Sequence, residues 1–470
     1  MRKLPIGDDR VTTTDELVVR SPYDGHEIDA VPACGESEVA RAVDAATDAH
    51  RAGPLPPWRR AEILDRAAAA VAAHHEELAR TIAEEAAKPI KTARVEARRA
   101  ISTFTFAAAE ARRLAGEVVP LDAADVGEGK LGFTLRVPVG VVGAISPFNF
   151  PLNLVAHKVA PAIAAGCPVV LKPASQTPLS ALALADLLLD ECGLPPGQLN
   201  VVTGGGATVG NALVDHPDVA LITFTGSPDV GWGIRARAPR KKVGLELGNN
   251  APVIVEPDGD VVGAAAKIAV ASFSHAGQSC ISTQRVYLHE AIADAFLDEL
   301  VPRVDALVVG DPLDEVTDVC ALIAPSERDR VEAWIAEAVA GGAEVRSGGG
   351  ERGGVLAPTI LTGTTPDMKV CSQEVFGPVV AIATYRDVDD AFALANATRY
   401  GLQAAVFTQD LGVALRAARE LDFGGVLVNE VPTWRADQMP YGGVRDSGNT
   451  REGPHYAVRE MTETRLVVLG

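Results

Sequence analysis

Three residues carry most of the chemistry this chain can do: Cys280, Glu246 and Asn149. Cys280 ends the string Phe273-Ser-His-Ala-Gly277-Gln278-Ser279-Cys280, directly after a glycine-containing turn. Backbone N–H groups around such a turn lower a thiol's pKa and yield a thiolate nucleophile. Glu246 stands in Leu245-Glu246-Leu247-Gly248-Asn249-Asn250, at the end of an apolar run. A carboxylate desolvated there has a raised pKa and suits a general base, the plainer reading being a structural ion pair. Asn149 lies in Ile145-Ser-Pro147-Phe148-Asn149-Phe150-Pro151, between aromatics and prolines. A rigid amide in that setting donates to a developing oxyanion; otherwise it is a turn former. His275, close to the thiol, keeps a cysteine-protease arrangement open, against a plain surface or capping role.

Other chemistries lack their signatures. There is no His-Glu-x-x-His, no Gly-x-Ser-x-Gly elbow and no phosphate loop of the Gly-x4-Gly-Lys-Ser/Thr kind, which removes the metalloprotease, α/β-hydrolase and P-loop readings. The 470 residues include 43 Lys+Arg and 62 Asp+Glu, a net charge of −19, so neither nucleic acid nor an anionic membrane is the expected partner. The six cysteines have no Cys-x-x-Cys spacing and read as free thiols in a reducing compartment. With no apolar leader and no membrane-length apolar run, the expectation is a soluble, untargeted, cytoplasmic protein of two or three domains.

The elements that must hold these residues follow from periodicity. Up to residue 120 the chain is Ala-rich and helical, over 37–50 and 58–85. From residue 137 short β-branched runs predict strands at 137–145, 169–171, 200–203, 221–224 and 242–245, alternating with helices such as 179–189. Such alternation specifies a doubly wound parallel sheet whose ligand sits at the strands' carboxyl ends. A second α/β series begins near residue 250, with strands expected at 252–255 and 286–289 and a helix at 291–308. The tail 462–469 is β-branched. One Gly-rich string, Gly204-Gly-Gly206-Ala-Thr-Val-Gly210, is a weak dinucleotide signal alone.

In this order, the Pro147-Phe148-Asn149 loop, Leu171-Lys172-Pro173-Ala174-Ser175, Phe224-Thr225-Gly226-Ser227, Leu245-Glu246-Leu247-Gly248, Gly277-Gln278-Ser279-Cys280, Glu374-Val375-Phe376-Gly377-Pro378 and Tyr441-Gly442-Gly443-Val444 resemble the NAD(P)-dependent aldehyde dehydrogenase superfamily, from about residue 15 onward. The resemblance implies an α/β fold with a Rossmann-like cofactor-binding domain (1–116 and 137–247), an α/β catalytic domain (248–445) and a small β oligomerisation element (117–136 and 446–470). It implies NAD or NADP as cofactor, no metal, and a homodimer or homotetramer acting on a small aldehyde. Cys280 would attack the aldehyde, Asn149 would hold the oxyanion, and Glu246 would activate the water that hydrolyses the thioester. Lys172 and Ser175 would meet the adenosine ribose, Ser227 after Gly226 the pyrophosphate, and Glu374 and Phe376 the nicotinamide end. Ser146, Pro147, Phe148, Gly206, Gly210, Phe224, Val230 and Leu247 would line the rest. Two departures stand out: Asn249 replaces a second Gly, and Phe150 a more frequent Trp.

The segment from Gly425 through Arg435, Asp437 and Met439 to Gly453 resembles the branch of lactaldehyde and non-phosphorylating glyceraldehyde-3-phosphate dehydrogenases. This implies a small 2-hydroxy or anion-bearing aldehyde. Ser279, where phosphate-using members often carry Arg, argues against a phosphorylated substrate. Arg435 is expected either at the substrate or in an ion pair with Asp437. Ser175, in place of a Glu that would repel a 2′-phosphate, implies that NADP is accepted besides NAD. The alternatives are a catalytically silent member of the family and a CoA-acylating enzyme; Glu246 speaks against the latter.

Overall fold

The computed structural model describes residues 2–470. Its first sheet is parallel throughout, in the order Lys242–Glu246, Val219–Thr225, Val141–Ile145, Val169–Lys172, Leu199–Val201. The chain enters at the central strand, adds two strands on one side, then crosses back to add two on the other. The strand order therefore reverses between Val141–Ile145 and Val219–Thr225, where open α/β sheets form their ligand crevice. Val141–Ile145 is buried along its whole length, which explains its continuous apolar sequence.

Helices cover this sheet. Helix Asn153–Ala165 is buried at every position, while Pro57–Ala73 packs on Ile90–Arg113. Both helices bury alanines, Ala61 and Ala67 on the first and Ala97, Ala100 and Ala107 on the second, and such small side chains leave room for close packing. The second sheet has seven strands, in the order Glu344–Ser347, Thr359–Thr362, Val379–Tyr385, Thr283–His289, Ala251–Val255, Gln403–Phe407, Gly425–Val428. All its pairings are parallel except that of Glu344–Ser347 with Thr359–Thr362. A third, antiparallel sheet joins Thr462–Leu469, Leu131–Pro138 and Val118–Val119.

Several expectations are corrected. The run at 137–145 is two strands in two sheets: Pro138 ends the first and Gly140, at φ 125°, turns the chain into the second, a conformation open to glycine. The helix expected at 58–85 is two helices, Pro57–Ala73 and His75–Ala86, broken at His74 (φ −97°, ψ 18°). The helix expected at 291–308 is shorter, Ala293–Asp305. The hairpins Leu4–Ile6/Asp9–Val11 and Glu16–Arg20/Glu27–Pro32 had no counterpart in the sequence reading, because their short strands lack a sustained alternation. All six cysteines are free. Among the described residues no helix is long and apolar enough to cross a membrane.

Candidate active site

The Cys280 loop begins where helix Val261–Phe273 ends. That helix is capped by Asp260, whose carboxylate accepts the Gly263 N–H at 2.9 Å. Beyond Phe273 the chain bends through three left-handed residues, His275, Ala276 and Gly277 (φ 51°, 52° and 71°). A Cβ on Gly277 would lie 2.1 Å from the Gly377 carbonyl oxygen, so only glycine fits. The bend brings Cys280 Sγ to 2.8 Å from the Tyr441 hydroxyl. From the first sheet, Asn149 Nδ2 donates to the Gln278 carbonyl at 2.8 Å, while its Oδ1 is buried without a partner. His275 is buried with neither ring nitrogen bonded, so it does not pair with the thiol as a protease histidine would.

A cavity of about 470 Å³ opens at this junction, and Pro147, Phe148, Asn149, Gly226, Ser227, Leu247, Cys280, Glu374 and Phe376 line it. Ser146, Lys172, Ser175, Gly206, Gly210, Phe224 and Val230 line an adjoining cavity of about 550 Å³. Ala174, Gln176 and Thr225 border both. The structure thus gathers the predicted residues into two connected chambers, with one exception. Glu246 lines neither; it faces a separate cavity of about 20 Å³ with His157, Thr223 and Glu452, room for about one water.

Burial dominates the electrostatics. The Cys280 thiol is pushed up to about 12 by burial, against the lowering effect of the Tyr441 hydrogen bond. This corrects the expectation of a depressed thiol: desolvation of the charged form outweighs the donors around it. Glu246 is raised well above the usual carboxylate range, first by burial and then by the neighbouring Glu452, with Arg435, Lys158 and Arg451 opposing. Both its oxygens are buried without a partner, which removes the ion-pair reading. Glu374 is raised to about 7 by burial although its carboxylate accepts the Asn249 N–H at 2.9 Å. Asn249 has no positive φ, so that turn does not require the glycine it replaces.

Behind Cys280 lies a buried polar cluster. The Arg435 guanidinium stacks 3.8 Å from the centre of the Tyr441 ring and pairs with Glu452 at 2.7 Å. Asp437 instead takes Arg99 at 2.8 Å, His157 at 3.0 Å and Asn153 Nδ2 at 3.2 Å. The expected Arg435–Asp437 pair is therefore corrected: each residue has a different partner. Tyr441, Gln278 and Glu452 carried no assigned role in the sequence reading. Tyr441 and Gln278 fall inside family motifs, but their contacts with Cys280 and Asn149 join segments more than a hundred residues apart.

The second chamber fits a dinucleotide. Lys172 is buried, has no carboxylate partner, and bonds only the Pro173 carbonyl at 3.2 Å; burial lowers it to about 8. Ser146 Oγ is buried and unpartnered. Ser227 caps helix Pro228–Arg237 without a side-chain bond to it, leaving the first N–H groups for an anion. Ser175 Oγ donates to the Gly204 carbonyl at 2.8 Å, so its proton is engaged in this arrangement.

A doubly wound sheet whose switch point opens onto two adjoining chambers, one lined by Cys280 and Asn149, defines an α/β protein that binds its ligand at the carboxyl ends of the strands. Residues 10–467 match the aldehyde dehydrogenase family, and the chain belongs to it: it is an NAD(P)-dependent aldehyde dehydrogenase. It is 48% identical to a 3-sulfolactaldehyde dehydrogenase of Priestia aryabhattai, over 97% of this chain and 96% of the relative. A lactaldehyde dehydrogenase of Methanococcus vannielii is 38% identical over 97% of both. The solved structure of a glyceraldehyde-3-phosphate dehydrogenase from Methanocaldococcus jannaschii, complexed with NADP, superposes with a TM-score of 0.93 at 40% identity, covering 97% of this chain and 100% of the other.

Proposed function

We propose that the enzyme oxidises a small 2-hydroxy or anion-bearing aldehyde, of the lactaldehyde and 3-sulfolactaldehyde class, to its carboxylic acid through a thioester on Cys280. The observation that carries this reading is the shared chamber of Cys280 and Asn149. The Cys280 sulfur, as thiolate, adds to the carbonyl carbon, and the Asn149 amide and the Cys280 N–H donate to the oxygen that takes the charge. NAD or NADP, which Lys172, Ser175 and Ser227 would hold, would supply the acceptor for the hydride lost from the aldehyde carbon. Glu246, whose small cavity has room for about one water, takes a proton from water. The water oxygen adds to the thioester carbonyl, the C–S bond breaks, and the acid and the Cys280 thiolate are released. A carboxylate with a raised pKa is a stronger base than an ordinary glutamate, which suits this step.

The 48% identity to the 3-sulfolactaldehyde enzyme supports the substrate class; Arg435 adds nothing to it, since its charge is paired with Glu452 and it does not line the chamber of Cys280. Ser279 in place of an arginine speaks against a phosphate. The test is an aldehyde panel: lactaldehyde and 3-sulfolactaldehyde should give the highest kcat/KM, and turnover confined to long alkyl or aromatic aldehydes rejects the reading.

On this reading residues 1–116 and 137–247 hold the cofactor, 248–445 the nucleophile, and 117–136 with 446–470 serve association into a homodimer or homotetramer in the cytoplasm. The third sheet supports association, because Thr462–Leu469 has one unpaired edge and leaves Leu466, Val468 and Leu469 exposed, and such an edge invites a partner. Light scattering at micromolar concentration should return an oligomer; a monomer rejects this part.

A further inference from the structure

The loop that presents Asn149 lies between strand Val141–Ile145 and helix Asn153–Ala165, and no sheet ladder or helix fixes its shape. Two charged residues from elsewhere in the chain hold it. Lys88 Nζ donates to the carbonyl of Asn149 and to the Glu96 carboxylate, and the ammonium lies 3.8 Å from the centre of the Phe150 ring. Glu96 Oε1 accepts the N–H groups of Leu152 at 3.0 Å and Asn153 at 3.1 Å. The pair therefore grips the backbone on both sides of Phe150-Pro151. Both side chains are withdrawn from solvent, at 0% and 1% exposure. The other charged or titratable groups facing Lys88 are Arg99 and the unpartnered His275.

Stability alone does not account for this arrangement. A buried ion pair is on average no more stabilising than apolar side chains of the same volume. What the pair adds is geometry. The Asn149 side chain has one hydrogen bond of its own, to the Gln278 carbonyl, and an unpartnered Oδ1. Its position therefore depends on where its backbone is held, and Lys88 holds the peptide group that follows it. An oxyanion donor works only when it is fixed before the charge develops, and displacements of about 1 Å cost of order a hundredfold in rate.

We infer that the Lys88–Glu96 ion pair is a positioning device for the Asn149 amide, acting on the rate of thioester formation and not on cofactor binding. The inference rests on Asn149 being the oxyanion donor, and a double-mutant cycle separates the two. The readout is the pre-steady-state burst of reduced cofactor, with cofactor Kd from fluorescence titration and Tm measured beside it. Asn149→Ala should slow the burst by about 10²–10³-fold, and Lys88→Met by roughly tenfold or more. Lys88→Met should leave the cofactor Kd within about twofold, and the double variant should be no slower than Asn149→Ala within about threefold, since a residue that acts through another adds nothing once that other is gone.

If Asn149→Ala does not slow the burst, the oxyanion assignment falls, and the inference with it. If it does, but Lys88→Met leaves the burst unchanged or the two losses multiply, the positioning role alone falls. Should Lys88→Met not fold, the apolar pair Lys88→Met with Glu96→Leu replaces it; the same burst loss in that folded variant supports the inference, and a normal burst overturns it.

Discussion

The Cys280 sulfur and the Tyr441 hydroxyl lie 2.8 Å apart, and that hydrogen bond opposes the burial that raises the thiol. Once the thiol ionises, Tyr441 is the donor. Tyr441→Phe removes this donor and keeps the ring beneath Arg435. The expected result is a higher Cys280 pKa and alkylation by iodoacetamide at pH 8 slowed about two- to tenfold, the size of one hydrogen bond of about 0.5–1.5 kcal/mol. Unchanged alkylation would show that the hydroxyl does not support the thiolate.

Glu246 lies outside the chamber of Cys280, and the proposed mechanism uses it only after acylation. Glu246→Gln should keep a burst of about one reduced cofactor per site and then stall, with steady-state turnover down about 10²–10⁴-fold. Cys280→Ala should give neither burst nor turnover. A Glu246→Gln enzyme that turns over normally means another group activates the water.

Lys172 sits desolvated and unpaired in the cofactor chamber, and Ser175 stands beside it without negative charge. Both NAD and NADP should be turned over. Ser175→Glu should lower kcat/KM for NADP about tenfold or more and spare NAD, because a carboxylate beside the 2′-phosphate costs about 1–3 kcal/mol at an effective dielectric near 20. A parent enzyme that already rejects NADP a thousandfold would mean that another group sets the choice.

Asp437 is held well below the usual carboxylate range; burial acts against this, and the hydrogen bond from His157 and the charge of Arg99 outweigh it. A depressed folded-state pKa stabilises the fold above the unfolded value near 3.9, and that stability is lost as pH falls through the folded value. Asp437→Asn leaves Arg99 and His157 without their anion and should destabilise the protein by about 3 kcal/mol at pH 7. The Tm gap between parent and variant should be constant from pH 5 to 7 and narrow below about pH 4. A gap that persists undiminished in acid would show that the charge is not what matters.

The sequence by itself announced the strands of the first sheet and the residues proposed to react. The runs ending at Ile145, Leu171, Phe224 and Leu245 announce their strands because a β-branched stretch followed by Gly, Pro or Ser is a local signal, and Asn149, Ser175, Ser227 and Leu247 lie just beyond them. Tertiary structure alone decided what surrounds those groups. Whether the Cys280 pKa rises or falls depends on how much water the Tyr441 segment excludes, and no spacing near residue 280 encodes that. Arg435 pairs with Glu452 and not with its near neighbour Asp437, because Arg99, from a helix more than three hundred residues earlier, reaches Asp437 instead. The grip of Lys88 and Glu96 on the Asn149 loop was invisible in a helical, Ala-rich stretch that reads as scaffold. Desolvation and long-range pairing are properties of the packed chain, and they exist only once distant elements have met.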